Sequence, residues 1–457
     1  MEPPETPRDP SPHPHDLYLH PPSSVTRTQP SHRAMSQTLD DRALLERLVA
    51  FPTVSRDSNL PLIDWVEEYL TGWGAACRRT WSDCGTKANL LATFGPAVEG
   101  GVVLSGHTDV VPAEEPEWTS DPFLLTERDG RLYGRGTTDM KGFLASALTL
   151  APVAAEARLQ RPLHLALSYD EEVGCLGAPR MIRDMVEAGL RPEACIVGEP
   201  TLLRPAVAHK SVNGFRTRVR GVEAHSSQPH RGAGAIPAAG RLIEAIWRLG
   251  EGRRAVADSH SAFDPPWTTV GVGTIRGGTA VNILAGECVF TWEYRALPHE
   301  DQDELLRAFQ TAVDEDVLPA LREFAPEAGI ETEVLCRVPP LQAESGGPDP
   351  ETEVDGSAGP GGGPRTGIRH RSEAGSYIRS PGTAEALVCR VLGEKTGARR
   401  VVSYGTEGGQ FQAEGISTVI CGPGSIDQAH RPNEYLEEGQ LAACTAFLQG
   451  VLTTLEG

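Results

Sequence analysis

The sequence predicts an α/β fold, a mostly parallel sheet interrupted by a smaller inserted α+β unit. Three observations carry that prediction. Short apolar runs alternate with amphipathic helical stretches through about residue 205, the order of strands flanked by helices. From 206 to 324 the pattern changes to β-α-β-β-α, which suits a ferredoxin-like unit with its helices on one face of an antiparallel sheet. Histidine and acidic residues that close the apolar runs lie on both sides of this stretch, so the unit is an insertion rather than a terminal domain.

Residues 1–35 hold nine prolines and four histidines (His13, His15, His20 and His32) and little that builds a core, so a disordered tail is expected, with Met35 just before the first folded segment. Asp40 or Asp41 can cap a helix in which Leu44, Leu45, Leu48 and Val49 recur at helical spacing. A second helix is expected at 62–73, strands at 89–94 and 101–106, a helix after Gly142, a strand at 163–169, a helix at 178–188 and a strand at 194–197. Within the insert, 215–222 alternates like a half-exposed strand and 236–249 is an amphipathic helix. Strands at 268–275 and 288–295 and a helix at 301–321 complete it. Residues 36–205 and 325–457 would then form one domain, with the Gly- and Pro-rich stretch 343–375 as a flexible surface loop. Strands at 401–404 and 417–421 and a closing helix at 437–455 end the chain.

A net charge of −20 argues against nucleic acid or an anionic membrane as partner, because the electrostatic part of such binding would be repulsive. No apolar stretch approaches the ~18 residues of a membrane span, and the start MEPPETPRDPSPHPHD has neither the basic nor the apolar part of a signal peptide. Nine cysteines without a CxxC pair fit a reducing compartment, so a cytoplasmic protein acting on a small molecule is expected.

The chemistry is concentrated in five residues: His107 in SGHTDVVP, Asp139 in GRGTTDMKG, Glu172 in SYDEEVG, Glu199 in IVGEPT and His430 in GPGSIDQAHRPNEY. Read singly, each could be a cap or a turn residue. Read together, two imidazoles and three carboxylates without a thiolate suit two divalent cations of hard-to-borderline character, and hence metal-assisted hydrolysis. Ligands of an open parallel sheet bind beyond the carboxyl ends of its strands, and His107, Glu171–Glu172 and Glu199 all follow predicted strands. Asp109, two residues after His107, is placed to orient the imidazole. Adjacent residues leaving a strand point apart, so Glu171 and Glu172 need not share one role.

These motifs, with DEEVGCLGA, AHSSQPHRGAGAI and YGTEGGQF, resemble the M20 family of co-catalytic metallopeptidases and deacylases from about residue 40 to the C-terminus. The resemblance implies that Asp139 bridges two zinc ions, with cobalt as an alternative. His107 and Glu199 would complete one site, Glu172 and His430 the other. It further implies Glu171 as general acid and base, and 206–324 as a lid and dimerisation domain. His225 of that lid would donate to the oxyanion, within its own subunit or across a homodimer.

Among its members the motifs are most similar to deacetylases that release L-ornithine and acetate from N2-acetyl-L-ornithine in arginine biosynthesis. Succinyl-diaminopimelate desuccinylases, aminoacylases and dipeptidases share the same machinery and stay open, as does a non-catalytic metal-binding protein. Asn282 and Arg295 resemble lid positions that meet a substrate carboxylate. Glu407 is a candidate partner for a cationic ornithine side chain. Gln410 stands where the deacetylases place an apolar residue.

Overall fold

The computed structural model describes residues 38–114, 116–344, 382–396 and 400–457. The expected tail at 1–35 and the expected loop from 345 onward lie outside the described residues. Among the described residues no helix is long and apolar enough to cross a membrane, and all nine cysteines are free thiols.

Six strands form the larger sheet, in the order Ala76–Trp81, Ala88–Phe94, Leu163–Ser168, Val102–His107, Ala194–Pro200 and Ser417–Gly422. The last four run parallel and are nearly all buried, which is why they read as continuous apolar runs rather than as alternating ones. Helix Asp41–Val49 is capped by the Asp40 carboxylate, which accepts from the Ala43 N–H at 2.8 Å. It packs its Leu44, Leu45, Leu48 and Val49 face into a core shared with Gly142–Leu148 and Glu438–Thr453. Helix Gly142–Leu148 lies close on the sheet: a Cβ at Gly198 would stand 2.0 Å from the Phe143 ring, so only glycine fits there. Because His107 sits opposite Ser168 and the neighbouring strands run the same way, the carboxyl ends of these strands open on one edge. A helix at the far side, Ala178–Glu187, completes a second apolar layer with Met181, Ile182 and Met185.

The smaller sheet is antiparallel throughout, in the order Thr269–Gly277, Glu287–Arg295, Val212–Arg220 and Gly329–Val338. Helices Ala235–Ala255 and Glu304–Thr311, the latter continuing to Arg322, cover one face. Phe215, Trp292 and Tyr294 of the sheet stack beneath them and meet Phe309 of the second helix, with the Phe215 and Trp292 rings 4.5 Å apart. On the other face Arg216, Arg218 and Arg220 pair with Glu333, Glu287 and Glu331 in solvent.

The insert boundary expected at 324 is corrected by this pairing. Gly329–Val338 lies along the whole of Val212–Arg220 and belongs to the small unit, although the sequence placed it with the larger domain. As an edge strand whose outward positions alternate with only partly covered ones, it carries no clear apolar period. The short sheet Thr126–Arg128, Arg131–Tyr133 and Tyr435–Glu437 was not anticipated either, since three-residue strands carry no measurable period.

Candidate metal centre

His107 closes its strand and is 1% exposed. Its Nδ1 stands 2.9 Å from the Asp109 carbonyl oxygen, an atom that can only accept, so Nδ1 carries a proton and Nε2 is the ring nitrogen turned to the carboxylates, which raise the imidazole's pKa well above its usual value despite burial. That Nε2 lies 3.0 Å from Asp139 Oδ1 and 3.7 Å from Glu199 Oε1. At the mouth, His430 is placed by a left-handed backbone (φ 61°), and its Nε2 lies 2.9 Å from Glu172 Oε2 and 3.3 Å from Asp139 Oδ2. The two oxygens of one aspartate therefore face two different imidazole–carboxylate pairs.

Asp139 owes its position to a residue that sequence reasoning did not single out. It lies in the turn Thr137–Lys141, whose amides converge on the buried carboxylate of Glu434. Glu434 Oε1 accepts from the N–H groups of Thr138 (2.9 Å) and Asp139 (3.1 Å), and Oε2 from Gly136 N–H (3.0 Å) and the Arg135 guanidinium (2.9 Å). Glu434 stands in the RPNEY run, four residues before the closing helix Glu438–Thr453, and nothing in its spacing distinguishes it from a surface acid.

Asp109 differs in detail from expectation. Its carbonyl, not its carboxylate, holds the imidazole; the carboxylate oxygen nearest Nδ1 is 3.7 Å away. The carboxylate instead accepts from Ser55 Oγ (2.7 Å) and from the N–H groups of Glu171 (3.1 Å) and Glu172 (3.3 Å). It thus ties the acidic turn to the His107 strand. Glu171 Oε2 comes within 4.0 Å of His107 Nε2 and faces the cluster beside Glu172, close enough to His107 and Glu199 that the three could also hold one ion.

Glu407 is also corrected. It is 1% exposed, and its oxygens accept from Ser105 Oγ at 2.9 Å and from Ser168 Oγ, so it braces the strand ends from beneath and presents no carboxylate to a cationic side chain. The lid candidates lie apart from the cluster: among the described residues no hydrogen bond or ion pair joins His225, Asn282 or Arg295 to it. His225 and Asn282 are neighbours, linked through the Ser226 N–H to Asn282 carbonyl bond of 2.9 Å and a bridge from His225 to Ile283. His225 Nδ1 accepts from the Ser227 N–H at 3.2 Å, which puts the ring proton on Nε2 as a donor toward solvent. Arg295 is engaged by Glu293 at 3.1 Å. Tyr404, quoted only as part of a motif, belongs to the centre: its hydroxyl donates to the Pro200 carbonyl at 3.3 Å, and burial beside Glu199, Asp139 and Glu171 pushes its pKa well up.

The electrostatics test the fit of a metal. Burial pushes the Glu171 carboxyl up to about 8 and, with Asp139 beside it, Glu172 up to about 7. Glu199 is raised as well, by burial and the charge of Asp139. Hydrogen bonds to Asp139 and Glu172 raise His430 to about 10, and despite burial the two imidazoles hold Asp139 below the usual carboxylate range. Among the described residues no lysine or arginine pairs with any of these carboxylates. The cluster lacks cationic charge that two divalent ions would supply. Donor atoms on one tetrahedral zinc stand roughly 3.3–3.6 Å apart, close to the 2.9–3.7 Å separations within the two groups. The donor set fits.

The sequence pattern of peptidase family M20/M25/M40 matches residues 103–454. The chain is 37% identical over 423 residues to an acetylornithine deacetylase of Myxococcus xanthus, covering 91% of this chain and 97% of that protein. It is 33% identical over 403 residues to an acetylornithine deacetylase of Pasteurella multocida, covering 85% and 91%. A tripeptidase from Staphylococcus aureus shares the fold with a TM-score of 0.62 at 18% identity, over 92% of this chain and 99% of that one. The chain belongs to peptidase family M20/M25/M40 and is an amide-bond hydrolase of that family.

Proposed function

We propose that the protein is a dinuclear-metal deacetylase that converts N2-acetyl-L-ornithine to L-ornithine and acetate, a step of arginine biosynthesis, with Zn2+ as its metal and Co2+ as a working substitute. The observation that supports two ions is the placement of Asp139, one oxygen facing His107 and Glu199, the other facing His430 and Glu172. Support for the substrate comes from the two acetylornithine deacetylases, similar over most of both chains.

When bound, the two cations would polarise the amide carbonyl and acidify the attacking water. Glu171 Oε2 takes the water's proton and hands it to the amine nitrogen as the C–N bond breaks, since an amide anion is too poor a leaving group. His225 Nε2–H supplies a donor to the oxyanion once the small unit closes over the cleft. Asn282 and Arg295, on the same unit, would meet the substrate's α-carboxylate, Arg295 after exchanging its Glu293 partner. A homodimer through the small unit is supported by its edge strand Thr269–Gly277, which among the described residues pairs on one side only. Ile275 and the nearby Trp247 are exposed there, at 52% and 60%.

The test is a side-by-side assay of zinc-loaded protein on N2-acetyl-L-ornithine, N-succinyl-diaminopimelate, other N-acetyl amino acids and dipeptides. A kcat/KM on acetylornithine at least tenfold above the rest is expected. Preference for the succinylated substrate or a dipeptide would replace the substrate assignment and leave the centre as described.

A further inference from the structure

Glu171 has an unusual neighbour. The acidic turn continues as Val173–Gly174–Cys175, and Cys175 takes a left-handed backbone conformation (φ 52°) that non-glycine residues seldom adopt. Such a residue persists only where its surroundings hold it, and here they do. The Cys175 N–H donates to the Glu171 carbonyl at 2.9 Å, folding the turn back on itself. The Cys175 carbonyl accepts from the side-chain amide of Gln410 at 3.0 Å, although Gln410 lies 235 residues further along the chain. Gly174 packs so tightly on Cys336 of the small sheet that a Cβ there would stand 2.3 Å from the Cys336 Cβ. These restraints aim the Cys175 thiol, in a residue only 3% exposed, at Glu171 Oε1, 3.1 Å away.

We propose that Cys175 is a positioning residue for catalysis: its thiol holds Glu171 Oε1, so that Oε2 is the oxygen presented to the reacting water and then to the departing amine. This rests on the proton-transfer role given to Glu171 above. Among the described residues the thiol is the one hydrogen-bond donor to the Glu171 side chain. Without it, the carboxylate plane is free to turn about its last torsion, a broad two-fold rotor. Burial pushes the Cys175 pKa well above that of an ordinary thiol, so the sulfur keeps its proton and remains a donor. A thiol is also a weak donor. It fixes the direction of the carboxylate while withdrawing less of its affinity for a proton than a hydroxyl, amide or guanidinium would. Gln410 has a role on the same account: its amide anchors the carbonyl of the residue that bears the thiol. An apolar side chain at 410 could not make that bond; it accounts for the amide nitrogen of this buried residue, while Oε1 finds no partner among the described residues.

The experiment compares wild type, Cys175→Ala, Cys175→Ser and Glu171→Gln, all loaded with zinc, on N2-acetyl-L-ornithine or whichever substrate the assay above selects. Zinc content and thermal unfolding are measured on each. Cys175→Ala is expected to lose about tenfold in kcat, a part of the 10²–10⁴ that a placed acid–base group contributes, with KM and zinc content unchanged. Cys175→Ser, which restores a donor, should recover most of the loss. Independently of turnover, the S–H stretching band identified in the infrared difference between wild type and Cys175→Ser should shift in Glu171→Gln, because its acceptor has changed. Wild-type kcat in Cys175→Ala, a loss that serine does not recover, or an S–H band indifferent to Glu171→Gln would each overturn the proposal. Full activity in Glu171→Gln would instead remove the proton-transfer role on which it rests. An inactive Glu171→Gln beside an unimpaired Cys175→Ala would remove only the role of the thiol.

Discussion

Replacing Glu171 by glutamine is expected to lower kcat by about 10²- to 10⁴-fold while the protein still binds both metal ions. The expectation follows from where the side chain stands. Its Oε2 reaches only to 4.0 Å from His107 Nε2, whereas the four ligand pairs of the cluster lie between 2.9 and 3.7 Å. Glutamine keeps the size and the acceptor of the side chain and loses the ability to carry a proton. Burial raises the proton affinity of this carboxyl, which suits a group that must both accept and return a proton. Steady-state kinetics paired with metal analysis checks the prediction. If the variant loses metal in proportion to activity, Glu171 is a ligand and not the proton carrier.

Glu434→Ala should be the most destabilising single change near the centre, at about 3–5 kcal/mol, the range for removing one member of a buried ion pair. Both partners are buried, with Arg135 and Glu434 each 1% exposed. The alanine variant leaves the guanidinium without this carboxylate and strips the acceptor from three amides of the Gly136–Asp139 turn. Arg135 keeps its bonds to the carbonyls of Arg431 and Pro112, which limits the loss. Glu434→Gln should be milder, since an amide oxygen can still accept from the turn. Urea unfolding midpoints at neutral pH would separate the two. Because the turn carries Asp139, metal affinity should fall along the same series, and an alanine variant with wild-type stability would show that the turn holds itself.

The residues legible in the sequence were those whose roles coincide with the ends of strong elements. His107, Glu172 and Glu199 follow buried parallel strands that announce themselves as apolar runs, so their convergence could be read from order alone. Asp139 and His430 sit in turns, and it was the family resemblance, not periodicity, that tied them to the same site. Residues acting through a single long-range hydrogen bond left no such trace. Glu434 meets its amides across about 300 positions and Gln410 meets Cys175 across 235, separations at which neither period nor local composition carries information. Asp109 and Glu407 show the converse limit. Which atom of Asp109 holds the imidazole, and that Glu407 turns to serine hydroxyls, depends on side-chain rotamers that only the packed structure sets. The strand Gly329–Val338 was missed for a related reason: an edge strand half in solvent needs no apolar alternation to pair along its backbone.

If Asp139 divides the cluster into two cation sites, zinc stoichiometry must show it. Protein equilibrated with zinc and freed of excess should carry two ions per chain by elemental analysis. His107→Ala and His430→Ala should each retain one, and Asp139→Ala should retain few or none. A single ion in the wild type, or an Asp139→Ala variant that still holds two, would contradict the account.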